Sequence, residues 1–434
     1  MSNLRALVLL LAVVGLCAGI LAVVSRAPAE LRGAKPGPQA TNPDLGAAFS
    51  DLQVRRHAAY VVPGYVAVAL TIVIQLTVLV VLASGPLARV VDGIRGWPPE
   101  WLGRLGPMGW TGAWPVQAVA AGGFLAVALF LSTVPLDYVR TYATGHAWGL
   151  YTQGPAGWLW DEAKSLLVTL VTTVLGVLAF YAVVRAAPRT WWLWGWLVFS
   201  ALTFVMVYLY PVVITPLFNR FTPLEDRSLT QRIERLARAV GVDVNKVLVS
   251  DASRRTTAEN AYVAGLGPTK EVVLYDTLLR DSGEDEIAFV VAHEIGHAER
   301  HHVVKGALVS CAGLLAAFAL GQWLAGHAGI WRLSGAEGAG DVKGLALVAL
   351  YVLAASVLSL PLQTLVSRHF EAQADAIAIH LTRDPDAGVR QFRALAFSNL
   401  ADLRPPGVVV ATLFTHPPIP DRIRAILEEA GREP

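Results

Sequence analysis

A mainly α-helical, polytopic membrane protein carrying one small α/β unit is what this sequence predicts, on three observations. Of its 434 residues, 54% are apolar and only 16% are charged, against about a quarter charged in soluble domains. Seven uncharged apolar runs approach or exceed the roughly 20 residues that cross about 30 Å of hydrocarbon at about 1.5 Å per residue. One long polar stretch, 215–305, separates the fifth run from the sixth.

The runs are 6–24, 61–83, 116–134, 166–184, 191–213, 307–324 and 345–366. The first is longer than the roughly 7 to 15 apolar residues of a secretory signal and lacks a clean small-residue cleavage site, so it is expected to stay as a span. TWWLWGW at 190–196 has the make-up of an interfacial aromatic belt opening the fifth span. Two domains follow: a membrane region with five spans, 1–214, and a region 215–434 that contains the polar unit and the two further spans, 307–324 and 345–366.

Charge sets the expected orientation. Arg26, Arg32, Lys35, Arg55 and Arg56 lie between spans one and two, and the later loops alternate poorer and richer in basic residues. Positive loops stay inside, which puts 215–305 and the C-terminal tail in the cytoplasm. A net charge of +2 gives no reason to expect nucleic acid as a partner. Cys17 and Cys311, the only cysteines, both fall inside spans, which excludes a disulfide framework and a cysteine metal site.

Residues 36–59, with Pro36, Pro38 and Pro43, read as a loop, and GAEGAGD at 335–341 as a turn between spans six and seven. Within the polar stretch, Ser228 with Gln231 has the form of a capping box, opening a helix whose apolar residues Ile233, Leu236, Ala237 and Val240 recur at helical spacing. KVLVS at 246–250 predicts a strand, and NAYVA at 260–264 with EVVLY at 271–275 a hairpin. Ser282 followed by Glu284, Asp285 and Glu286 suits a helix start. That helix runs into VVAHEIGHAERHH at 290–302.

His293 and His297 stand four residues apart, one helical turn of about 5.4 Å, so both imidazoles share a face and reach one ion. With Glu294 between them this is HExxH, in which two histidines bind zinc and the glutamate acts on water. His301 lies about 12 Å along the axis from His293 and cannot join the same ion. Position 303, where a metzincin would have its third histidine, is Val303. His301 and His302 are expected to be solvated or to support the site from behind. A third ligand must come from elsewhere. Glu371 and Asp375, also four apart, follow the seventh span in SRHFEAQAD; one can ligate a metal while the other orients a histidine, and two solvated acids on an emerging helix fit the spacing equally well.

The run AENAYVAGLGPTKEVVLYDTLL at 258–279, AHEIGH and SRHFEAQAD occur in order with TPLFNRFTPLEDRSL at 215–229, THPPIPDRI at 415–423 and TGHAWGLYTQGPAGWLWDEAKS at 144–165. Together they resemble the type I CAAX prenyl proteases, seven-span integral-membrane zinc endopeptidases, over roughly residues 110–430. The resemblance implies one zinc per chain on His293, His297 and Glu371, with Glu294 as general base and Asp375 supporting a ligand from behind. It also implies that Asn260, Ala261 and Tyr262 hold the backbone of a peptide substrate, possibly prenylated, and that His416 and Arg422 lie near the metal. Rival readings are a membrane-protein quality-control protease without CAAX specificity and, in another class, a zinc-bound transporter or scaffold. A transporter should carry charged residues within its spans, which here are nearly free of them.

Overall fold

A computed structural model describes residues 3–32, 49–94, 114–265 and 270–432. Its longest helices coincide with the apolar runs: α1 (Asn3–Val24), α2 (Asp51–Ala83), α3 (Trp114–Asp137), α4 (Pro155–Ala186) and α5 (Trp191–Leu209). Seven helices among the described residues are long and apolar enough to cross a membrane, as the seven runs predict. Five of them pack on one another through Leu21, Ile74, Val78, Leu125, Tyr181 and Leu345. Leu131, Leu167, Val352 and Leu358 stay exposed on the outside. Such outward apolar faces are stable only against lipid, and the chain is an integral multi-pass membrane protein.

The second span begins earlier than its hydropathy shows. Ser50 Oγ accepts the Gln53 N–H and Gln53 Oε1 accepts the Ser50 N–H at 2.7 Å, a capping box that starts the helix at Asp51. Residues 51–59, expected as loop, are therefore helical; the Pro36–Pro43 part of that loop lies outside the described residues. At the start of α5, Trp191 is buried between Phe180 and Phe318, while Trp194 is exposed.

The polar unit is a four-stranded sheet packed on helices. β1 (Phe221–Pro223) precedes α6 (Arg227–Ala239); then come β2 (Lys246–Ser250), β3 (Ala261–Ala264) and β4 (Glu271–Tyr275). Their order is β1-β2-β4-β3, with β2 and β4 parallel and the other pairs antiparallel. The predicted hairpin is β3–β4, with Ala261 opposite Leu274, although most of its connection lies outside the described residues. The cap of α6 is Asp226, whose side chain accepts the Leu229 N–H, and not Ser228. The acceptor two residues earlier starts the helix sooner.

The HExxH helix α7 (Glu284–Glu299) is capped at Gly283 rather than Ser282, with three acids in its first turn. It is wedged between two apolar clusters. Ile287, Val291 and Ile295 pack with Ile233, Val247, Val272 and Leu274 of the sheet layer; Phe289 and Ala292 pack with Ala378, Val389, Phe392 and Ile426. These last come from α9 (Leu345–Thr382), α10 (Pro385–Ser398) and α11 (Ile419–Glu429), while α8 (His302–Ala325) leads from α7 back into the bundle. Helix α9 is the seventh span and simply continues out of the apolar run, carrying Glu371 and Asp375 to α7.

Candidate metal centre

Packing between α7 and α9 decides the site. Across Gly296 a built Cβ would lie 3.2 Å from Ala374 Cα, so the two backbones are nearly in contact, and Glu371, one turn from Ala374, reaches the histidine pair. His293 Nε2 and His297 Nε2 are 3.1 Å apart. Glu371 Oε2 is 3.3 Å from the first and Oε1 is 3.3 Å from the second. An ion about 2.0–2.1 Å from each donor in tetrahedral geometry needs donors about 3.3 Å apart. The Glu371 carboxylate faces the histidine pair with one oxygen toward each ring, one ligand atom from each residue lies within 4.8 Å of the others, and among the described residues this trio is the group of histidine and acidic side chains close enough to hold a metal.

Hydrogen bonding supports the same fit. Glu371 is 5% exposed, yet its Oε2 makes no well-aligned hydrogen bond, although His416 Nδ1 lies 2.6 Å away. A buried carboxylate oxygen left this way is costly unless a cation serves it.

Behind His293 the support is charged. His293 Nδ1 is 2.8 Å from Asp375 Oδ1. Arg422 grips the same carboxylate twice, Nε to Oδ2 at 2.8 Å and Nη2 to Oδ1 at 2.6 Å, and lies over the Phe392 ring at 4.1 Å. Burial opposes a charge on His293, but Asp375 and Glu371 outweigh it and raise its pKa to about 9. Glu294 keeps partial solvent access, and its carboxyl is pushed up by burial against the opposing pull of His293 and His297.

The structure brings together His293, His297 and Glu371, the trio that the resemblance implies, and Asp375, His416 and Arg422 lie beside it. His416 sits on the segment before α11 with its side chain 59% exposed and its Nδ1 beside Glu371. Asn260 is exposed immediately before β3, and its side chain accepts the Ala261 N–H at 2.9 Å. β3 is an edge strand beside α7. Phe392 was not foreseen, because it is one apolar position among several on an amphipathic helix. His301 does not continue the α7 stripe: it has left-handed backbone, φ +56°, and is exposed, whereas His302 is buried.

Comparison with known proteins agrees with this geometry. Residues 223–430 match the model of peptidase family M48, and residues 55–220 match the model described as CAAX prenyl protease N-terminal, five membrane helices. The chain is 31% identical to an uncharacterized metalloprotease, YhfN, of Bacillus subtilis, over 77% of this chain and 78% of that protein. It is 33% identical to CAAX prenyl protease 1 homolog of Oryza sativa, covering 71% and 73%, and 30% identical to CAAX prenyl protease 1 of Saccharomyces cerevisiae, covering 71% and 72%. Its fold is similar to the crystal structure of S. mikatae Ste24p, with a TM-score of 0.74 at 22% identity over 96% of this chain and 98% of that one. The chain belongs to peptidase family M48 and is a polytopic membrane metalloprotease.

Proposed function

We propose that this protein is a zinc endopeptidase that cuts near the C-terminus of prenylated CAAX-type or other membrane-associated substrates, with its catalytic unit in the cytoplasm. The observation that carries the reading is the cluster of His293, His297 and Glu371, with the two Nε2 atoms 3.1 Å apart and a carboxylate oxygen 3.3 Å from each, a donor set that would hold one zinc. Relatives named CAAX prenyl protease 1 support the substrate class, and the basic first loop supports the orientation. The metalloprotease domain is 215–434, preceded by the five-span region 1–214.

Zinc held by these three residues supplies a Lewis acid that acidifies water and polarises the scissile carbonyl. Glu294 takes the proton of the attacking water and passes it to the leaving amine; its raised pKa suits a base that must also act as an acid. His416, exposed beside Glu371, donates to the carbonyl oxygen as negative charge grows there. Arg422 is a positioning residue: it holds Asp375, and Asp375 holds His293. Asn260, Ala261 and Tyr262 align the substrate as an added strand on the β3 edge.

The test offers the purified zinc-loaded protein a prenylated CAAX peptide and unprenylated membrane-protein fragments and maps the bonds cut. Cleavage near the prenylated C-terminus, lost to a chelator and restored by zinc, is expected. Cleavage of the fragments alone would remove CAAX specificity, and no hydrolysis of either would remove the enzyme reading.

A further inference from the structure

The two histidines of the triangle are supported differently. His293 has a carboxylate behind it, whereas behind His297 the chain makes a turn that the HExxH spacing does not require. α7 ends at Glu299, His301 takes a left-handed backbone, and α8 restarts at His302. The left-handed region is costly for a residue with a Cβ. Its result is that His302, five residues after His297, folds back beneath it, with His302 only 4% exposed.

There His302 Nδ1 is 2.9 Å from His297 Nδ1. Its Nε2 is 3.0 Å from Gln373 Oε1, and its ring stacks on Phe370 at 4.3 Å with 8° between the planes. Gln373 Nε2 in turn is 2.9 Å from His369 Nε2. Phe370 and Gln373 flank Glu371 on α9, so the contact ties one ligand's ring to the helix that supplies another.

Proton placement along this chain follows from one condition. If His297 offers its Nε2 lone pair to the metal, its neutral ring carries the proton on Nδ1 and donates it. His302 accepts on Nδ1, so its own proton sits on Nε2 and is donated to Gln373 Oε1. The Gln373 amide then donates to His369 Nε2. Each link has one donor and one acceptor, which a chain with the opposite His297 tautomer achieves only with the Gln373 amide turned end for end.

We propose that His302 is the positioning residue of His297: it fixes the tautomer and plane of that ring so that Nε2 faces His293 and Glu371, and His301 is the bend that delivers it. The inference rests on the metal role proposed for His297. Outer hydrogen-bond partners of metal-bound histidines are worth about 10–100-fold in metal affinity.

The experiment compares His302→Phe, which keeps an aromatic ring against Phe370 but has no acceptor, with His302→Asn, whose Oδ1 lies where Nδ1 was. Zinc affinity is read by competition with a chromophoric chelator, and the melting temperature of the metal-free protein is read alongside. His302→Phe is expected to lose about 10–100-fold in zinc affinity with its metal-free melting temperature nearly kept, and His302→Asn to recover most of the loss. Parent-like affinity in His302→Phe, or equal loss in both variants, would overturn the proposal. His297→Ala serves as the control: if it binds zinc as tightly as the parent, the metal reading of the site falls and this one with it.

Discussion

Gly296 and Ala374 meet backbone to backbone: a Cβ on Gly296 would stand 3.2 Å from Ala374 Cα and 3.3 Å from its carbonyl oxygen. This contact sets the spacing of α7 and α9, and with it the reach of Glu371 toward the histidines. Gly296→Val forces the helices apart, and overpacking of this kind costs about 1–3 kcal/mol. The expected outcome is a lower melting temperature together with weakened zinc retention; unchanged retention on dialysis would show that the ligand triangle does not depend on the contact.

Arg422 and Asp375 form a buried pair, with side chains 10% and 11% exposed. Breaking such a pair from one side strands the other charge, at about 3–5 kcal/mol. Asp375→Ala is therefore expected to destabilise more than the double variant Asp375→Ala/Arg422→Met. Chemical denaturation of the three proteins in one detergent checks the order.

Zinc must displace the proton that Asp375 and Glu371 hold on His293. Because the pKa of that imidazole is raised to about 9 and only its neutral form binds metal, apparent affinity rises as pH rises and levels off above about 9. The slope below that point is about tenfold per pH unit for one released proton. Zinc titrations between pH 6 and pH 10 check it, and Asp375→Asn should move the bend to lower pH.

Glu294→Gln keeps the shape of the site and removes its base. Zinc content should stay at the parent level, while peptide hydrolysis falls by about 10²–10⁴. A variant that hydrolyses peptide at the parent rate would assign the base to another residue.

Along β3 the Tyr275 N–H bonds to the Asn260 carbonyl at 3.0 Å, and antiparallel pairs alternate. Tyr262 therefore bonds toward Val273, while the backbone groups of Val263 point to the open edge. Val263→Pro removes one outward N–H without taking a bond from β4. Its expected effect is a raised KM, about tenfold, at nearly constant melting temperature, measured on any peptide the parent cleaves.

Local pattern made much of this chain legible. Apolar runs need only their own length to predict the spans, four-residue spacing puts His293 and His297 on one face, and short β-prone runs mark β2, β3 and β4. The three-residue strand Phe221–Pro223 was missed because it is too short to show a period and ends in proline, and the start of α2 was missed because a capping box extends a helix beyond its apolar run.

What the residues by themselves determined is the set of helices and the identity of the side chains able to hold a metal. Tertiary structure alone decided that Glu371, 74 positions beyond His297, closes the triangle, that Arg422 locks Asp375, and that His302 turns back under His297. Helical and strand periods act over a few residues through backbone hydrogen bonds, whereas these meetings depend on how close two helices pack, here through Gly296, and on a single left-handed residue that no period announces.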